Sequence, residues 1–238
     1  MQTQMELSKQ APRMVRKKVR PYGEIFLPSD NLVDQSVASE ILEGTTYPKV
    51  AGQADLIWDV GANVGMAALY FARTYPNAEI HCFEPSQDLV WECLKENTCR
   101  IQSRTSLHPY GLANTEEERP MNEWKGATVT RSCRHQLSEL VEETLACRFK
   151  VPSTPDGVTI MKIDTEGCEV EILETLGGSR HRVPLYYIEY HSESDRRKID
   201  ELLPDHSVVR SSAALKHRGN VCYLHDSITT SEDKWEIT

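Results

Sequence analysis

The chain has 238 residues, with 36 acidic against 27 basic side chains, a net charge of −9, 39% hydrophobic residues and 26% charged ones. That composition suits one globular domain with a sizeable core, lengthened by an N-terminal arm and an insertion. It disfavours a membrane span, a secretory leader and any general attraction to nucleic acid or anionic lipid, so a cytoplasmic protein with neither nucleic-acid nor membrane partners is expected.

In chain order, Arg13, Arg16, Lys17, Lys18 and Arg20 form a short basic run, read as a solvated arm. Residues 1–50 are expected to supply this arm and a helical cover, residues 51–228 the main domain, and residues 229–238 a tail. From Asp55 to His191 short apolar runs alternate with amphipathic stretches, the pattern of an α/β domain on a parallel sheet. Leu56–Val60 reads as a buried strand, with Asn63 as N-cap of a helix carrying Met66, Leu69, Tyr70 and Ala72 inward. Glu79–Glu84 is a second strand broken at Pro85, with Ser86 capping a helix that ends near Asn97. Leu107–Leu112 suggests a third strand. Residues 113–157 then turn polar and irregular, a variable insertion with one strand at Ala146–Val151.

Val158–Ile163 is the next strand, followed by Asp164-Thr165-Glu166-Gly167 and a helix stopped by Gly177-Gly178. Leu185–His191 is a fifth strand and Asp195–Leu203 a helix. His206–Arg210 and Asn220–Leu224 form a closing pair. The seven cysteines, Cys82, Cys93, Cys99, Cys133, Cys147, Cys168 and Cys222, are odd in number and lack a Cys-x-x-Cys pair, which indicates neither a zinc site nor a disulfide framework. Cys82 and Cys168 lie in apolar patterns and read as core thiols.

Ligands of such sheets bind outside the carboxyl ends of the strands, near the reversal of strand order. Asp59–Gly65, Glu84, Gly111, Asp164–Gly167 and Glu189–His191 all fall at expected strand ends. The turn Asp59-Val60-Gly61-Ala62-Asn63-Val64-Gly65 offers backbone N–H groups and a helix dipole to a carboxylate, and its glycines allow close approach. A dinucleotide fingerprint needs glycines at 63 and 66, where Asn63 and Met66 stand, so a pyrophosphate ligand and a nicotinamide dehydrogenase are disfavoured. A ligand with an amino-acid carboxylate and a ribose fits better, the ribose hydroxyls meeting Glu84.

Trp58–Gly65, Phe83-Glu84-Pro85-Ser86 and Met161-Lys162-Ile163-Asp164-Thr165-Glu166-Gly167-Cys168-Glu169 together resemble, in order and spacing, the FkbM-type family of S-adenosylmethionine-dependent methyltransferases. Asn31–Asp34 and Ala38–Ile41 resemble its N-terminal portion, so the likeness covers roughly residues 20–225. It implies a class I methyltransferase (Rossmann-like) α/β fold: a seven-stranded, mostly parallel sheet with helices on both faces. It also implies S-adenosylmethionine as cofactor and O-methylation of a hydroxyl on a polyketide, sugar or other specialised metabolite. The cofactor residues become Asp59, Gly61, Ala62, Asn63, Gly65, Glu84, Pro85, Ser86 and Gly111. Tyr47-Pro48 departs from the family, which commonly carries an acidic residue after the tyrosine, as does Pro152–Pro155, where many members have a short helix.

Methyl transfer needs in-line alignment, exclusion of water and removal of the acceptor proton. Asp164 is the first candidate for that role, with Glu166 beside it and His191 as a possible general base. Period-two alternation puts Glu189 and His191 on one strand face next to Lys162 and Asp164, and Glu189 is expected to pair with the buried Lys162. These carboxylates with His191 can also hold magnesium, but no dedicated metal motif is present and a metal-free mechanism is expected. Residues 1–50 and 113–157 are expected to form the pocket of a small-molecule acceptor. Rival readings are nitrogen or carbon methylation and a catalytically silent cofactor-binding module; the Asp/Asn-Pro-Pro-aromatic motif of base methylation is missing.

Overall fold

A computed structural model describes residues 14–28, 32–50, 52–124, 127–129, 143–215 and 217–229 of the protein. Arg13, Asn31, Cys133 and nearly all of the tail lie outside the described residues. A hairpin, β1 (Val15–Val19) and β2 (Gly23–Leu27), precedes helix α1 (Leu32–Leu42). The N-terminal portion is thus partly sheet: Arg16, Lys17 and Lys18 belong to a paired strand, whose alternate residues Ile25 and Leu27 on β2 pack inward.

The main sheet takes β3 (Leu56–Val60), β4 (Glu79–Phe83), β5 (Thr105–His108), β10 (Ile160–Ile163), β11 (Leu185–Tyr190), β12 (His206–Leu215) and β13 (Arg218–His225). Their spatial order is β12-β13-β11-β10-β3-β4-β5, with β11, β10, β3, β4 and β5 parallel and β13 antiparallel to both neighbours. This is the seven-stranded, mostly parallel sheet of the class I methyltransferase fold. Strand order reverses between β3 and β10, where ligand crevices of open sheets form. Every residue of β10 and β11 is buried, as expected of parallel strands covered on both faces.

Helices α2 (Met66–Thr74) and α3 (Leu89–Thr98) cover one face, placing Ala68, Phe71 and Leu94 against Ile57, Ile80 and Ile160. On the other, α4 (Glu169–Leu176) and α5 (Glu193–Leu202) bring Ile172, Leu173 and Ile199 against Met161, Tyr186 and Ile188. Tyr187 donates its hydroxyl to the Pro48 carbonyl at 2.5 Å and Tyr75 donates to Val50 at 3.0 Å, mooring the segment before β3 onto the α2 face. Among the described residues no helix is long and apolar enough to cross a membrane.

Several local expectations change. Helix α2 starts at Met66 with Gly65 as its cap at φ 84°, and Asn63 stands in the preceding turn at φ 49° instead of capping. Asp88, not Ser86, caps α3, accepting the Val90 N–H at 2.8 Å. Leu107–Leu112 splits: β5 stays in the main sheet while β6 (Gly111–Leu112) leaves it. The region read as irregular builds a second sheet, order β6-β9-β7-β8, from β6, β7 (Glu117–Trp124), β8 (Ala127–Val129) and β9 (Glu143–Lys150). Leu112 of β6 and Cys147 and Phe149 of β9 reach the core. A short helix α6 (Asp226–Thr229) ends the described chain.

Candidate active site

The carboxyl ends of β3, β4 and β10 frame a crevice of about 580 Å³, open to solvent and lined by Gly61, Asn63, Glu84, Pro85, Gly111, Leu112, Phe149 and Asp164–Glu166. Five of the expected cofactor residues, Gly61, Asn63, Glu84, Pro85 and Gly111, come together there, as do Asp164 and Glu166. Asp59 and Ala62 are buried beneath it.

The turn after β3 is built differently from its sequence reading. Gly61 and Ala62 donate their N–H groups to the Phe83 carbonyl at 2.9 and 3.0 Å, Asn63 donates to Glu84 Oε2 at 2.7 Å and Gly65 to Ala62 at 2.8 Å. These four donors are engaged within the protein. Glycine is needed at 61 because a Cβ there would lie 1.8 Å from the Asp164 carbonyl, so it permits the approach of β10 to β3. At 111 a Cβ would meet the Phe149 ring at 2.6 Å, so that glycine lets the second sheet wall the crevice.

Glu84 is buried, and its other oxygen accepts the Ser86 N–H at 2.9 Å. Burial lifts its carboxyl above the usual range, and the two backbone donors oppose that rise. The Ser86 hydroxyl also donates to this carboxylate, so three of its roughly four acceptor positions are met within the protein and one is left for a ribose hydroxyl. The residues therefore fit an adenosine whose ribose meets Glu84.

Beneath the floor lies Lys162, 3% exposed, its Nζ 2.5 Å from the Gly61 carbonyl, 3.2 Å from Asp59 and 3.8 Å from Asp164. Burial works against its charge, yet Asp59 and Asp164 hold its pKa above the usual lysine value. The expected Lys162–Glu189 pair is not formed. Lys162 faces Asp59 and Tyr187 in register, one step below Glu189, and Glu189 turns to Arg218 of β13.

At the mouth, His191 stands with Nε2 3.0 Å from Glu166 and Nδ1 3.4 Å from Glu169. Burial disfavours the charged ring, but the two carboxylates win and push its pKa up to about 12. Such a ring has no free lone pair at neutral pH, which does not suit the general-base role expected from the sequence. Glu166 and Glu169 are held below the usual range by His191 despite their burial. Glu189 goes the other way, burial and the Asp164 charge lifting it to about 8.

Glu169 was legible only as a helix-start acid. It organises the turn, its Oε1 accepting the N–H groups of Thr165 at 2.9 Å and Gly167 at 3.1 Å. Glu166 occupies φ 56°, an uncommon conformation for a side-chain-bearing residue, at the crevice rim. Arg218 bridges Glu166, at 3.0 Å, and Glu189. No sequence signal near the motifs points to it, because it arrives from β13, remote in sequence and paired antiparallel to β11. Tyr47, buried on the α2 face, hydrogen-bonds Asp164, and burial with that neighbour holds its phenol well above its usual pKa.

Asp164, Glu166 and His191 offer ligand atoms within 4.8 Å of one another, the one such trio among the described residues. A divalent cation there must displace the His191 proton and compete with Arg218 for Glu166.

The family model described as methyltransferase FkbM domain matches residues 59–221. Hexuronic acid methyltransferase AglP of Haloferax volcanii is 25% identical over 195 residues, covering 80% of this chain and 76% of that protein. Methyltransferase sdnD of Sordaria araneosa is 25% identical over 153 residues, covering 50% of this chain and 59% of its own. The crystal structure of methyltransferase FkbM from Methylobacillus flagellatus KT is similar in fold, with a TM-score of 0.50 at 15% identity over 72% of this chain, and the match spans only 43% of that protein's chain.

Proposed function

The chain belongs to the FkbM family of S-adenosylmethionine-dependent methyltransferases, and on that footing we propose that it methylates a hydroxyl oxygen of a small or medium-sized metabolite. The observation that carries the proposal is Glu84, a buried carboxylate at the end of β4 that two backbone N–H groups aim at the crevice rim. In this reading Glu84 accepts the ribose hydroxyls, the Gly61–Gly65 turn shapes the floor, and Pro85 and Gly111 flank the adenosine.

When bound, S-adenosylmethionine supplies a methyl carbon activated by its sulfonium. Around the crevice the carboxyl groups of Asp59, Glu84, Asp164, Glu166 and Glu169 outnumber the cationic side chains Lys162, His191 and Arg218, which suits a ligand carrying a sulfonium.

Asp164, at the crevice and held by Lys162 and Tyr47, accepts the acceptor's proton. Glu166, kept ionised by His191 and Arg218, orients the acceptor hydroxyl as a hydrogen-bond acceptor. Leu112 and Phe149 from the second sheet line the crevice and supply an apolar wall that limits water. The Haloferax relative's printed substrate, a hexuronic acid, puts sugars first among acceptors to test, with polyketides and related metabolites next. The acidic net charge supports a function without nucleic-acid partners.

The test is calorimetry with S-adenosylhomocysteine against NAD, followed by transfer of labelled methyl to a panel of hydroxylated sugars, uronic acids and polyketides. The expected result is binding of S-adenosylhomocysteine alone and a methoxy product. An N-methyl or C-methyl product, or preference for NAD, overturns the proposal.

A further inference from the structure

Lys162 makes contacts that its position in a strand does not require. A lysine in the middle of a fully buried parallel strand exposes no ammonium to water, so its charge has to be met inside. Here it is met by groups of two kinds. The Gly61 carbonyl belongs to the turn that frames the crevice, and Asp164 is the carboxylate at the crevice rim. Asp59, fully buried, is the third partner and faces only the interior. The two strand ends also meet through backbone, Asp164 donating its N–H to the carbonyl of Val60, the residue before Gly61, at 3.1 Å. One ammonium thus joins the carboxyl ends of β3 and β10 at the point where strand order reverses.

We propose that Lys162 is a positioning residue that couples the cofactor turn to the proton-accepting carboxylate, holding the Gly61 carbonyl and Asp164 in one unit so that the cofactor site and the acceptor site are set together. The coupling rests on the reading of Asp164 as proton acceptor and of the Gly61–Gly65 turn as cofactor site. A lysine serving the core alone would need only Asp59. Its reach to Gly61 and Asp164 ties the two functional edges, and rotation of Asp164 away from Lys162 leaves the ammonium short of a partner in a low-dielectric interior. Asp164 therefore keeps one orientation.

Two variants test this. Lys162→Met removes the ammonium with little change in volume, and Asp59→Asn removes the partner that faces only the core, leaving the ammonium to Gly61 and Asp164. The readouts are S-adenosylhomocysteine affinity by calorimetry on the unliganded protein and the acid limb of the kcat/KM profile. Lys162→Met is expected to weaken S-adenosylhomocysteine about tenfold to a hundredfold and to move the acid limb up by about 1 to 3 pH units, the effect of withdrawing a cation from beside a carboxylate. Asp59→Asn is expected to move the acid limb down. A Lys162→Met protein that melts earlier but keeps its affinity and its acid limb overturns the proposal. If that variant does not fold, an Asp59→Asn protein whose acid limb stays put overturns it as well. Wild-type protein that fails to bind S-adenosylhomocysteine defeats the cofactor assignment before any variant is compared. An unimpaired Asp164→Asn enzyme defeats the proton-acceptor assignment.

Discussion

Glu84 accepts the backbone N–H of Asn63 at 2.7 Å, so the residue that closes β4 also holds the turn that follows β3. The same carboxylate reaches forward to the Ser86 N–H at 2.9 Å. Ligand grip and loop geometry share one side chain.

Glu84→Ala is therefore expected to act twice. Loss of the two backbone partners costs about 1–3 kcal/mol of stability, read by urea unfolding, and S-adenosylhomocysteine affinity falls on the order of a hundredfold, read by calorimetry. Glu84→Gln, which keeps one acceptor oxygen, loses less of both. Near-native affinity in the alanine variant removes Glu84 from the cofactor site.

Asp164→Asn keeps the shape of the floor but not a proton acceptor. Turnover is expected to drop roughly 10²- to 10⁴-fold with S-adenosylhomocysteine affinity within a few-fold of wild type. Tyr47→Phe, which deletes only the hydroxyl that reaches Asp164, lowers kcat by about tenfold. Single-turnover transfer of labelled methyl separates these effects from product release.

The His191 cluster makes stability depend on pH in a definite direction. His191 is raised from 6.5 to about 12 in the folded protein, so its contribution is complete below about 6.5 and is lost progressively as pH climbs towards 12. Glu166 and Glu169 are lowered from 4.5, so theirs is complete above that value and is lost as pH falls through their depressed pKa values. Glu189, raised to about 8, adds a decline between about 4.5 and 8. Thermal melts from pH 4 to 9 are expected to peak near pH 5–6. His191→Gln lies below wild type throughout, with the gap narrowing from pH 6.5 upward. A gap that widens with alkaline pH contradicts the imidazolium.

The glycines separate backbone need from side-chain room. Gly61→Ala puts a methyl into the Asp164 carbonyl at a φ of 77°, and a loss above about 3 kcal/mol or failure to fold is expected. Gly111→Ala meets only the edge of the Phe149 ring, which can turn, so about 1–2 kcal/mol is expected. Urea midpoints that rank the two variants in the opposite order contradict this account.

The main sheet was legible in the sequence because β3, β4, β10 and β11 each announce themselves locally. Each is a short apolar run bounded by a turn signal, with catalytic candidates placed where those runs stop. Glu84, Asp164 and Glu166 could be picked out for that reason. Of the second sheet only a strand at Ala146–Val151 was legible; Glu117–Trp124 is polar and becomes a strand by pairing with Glu143–Lys150. Ser86 and Asp88 are both good cap residues, and only the path of the chain after Pro85 selects Asp88.

What the sequence determined alone is the order of elements and which residues end the strands, since both follow from local periodicity and turn chemistry. What the tertiary structure decided is the charge on each of those residues. Lys162 meets Asp59 and Asp164 instead of Glu189, His191 is shut between Glu166 and Glu169, and Arg218 arrives from the antiparallel strand β13 to hold Glu189. Protonation depends on distances between groups remote in sequence and on burial in a shared low-dielectric interior, and neither quantity exists until the sheet has closed.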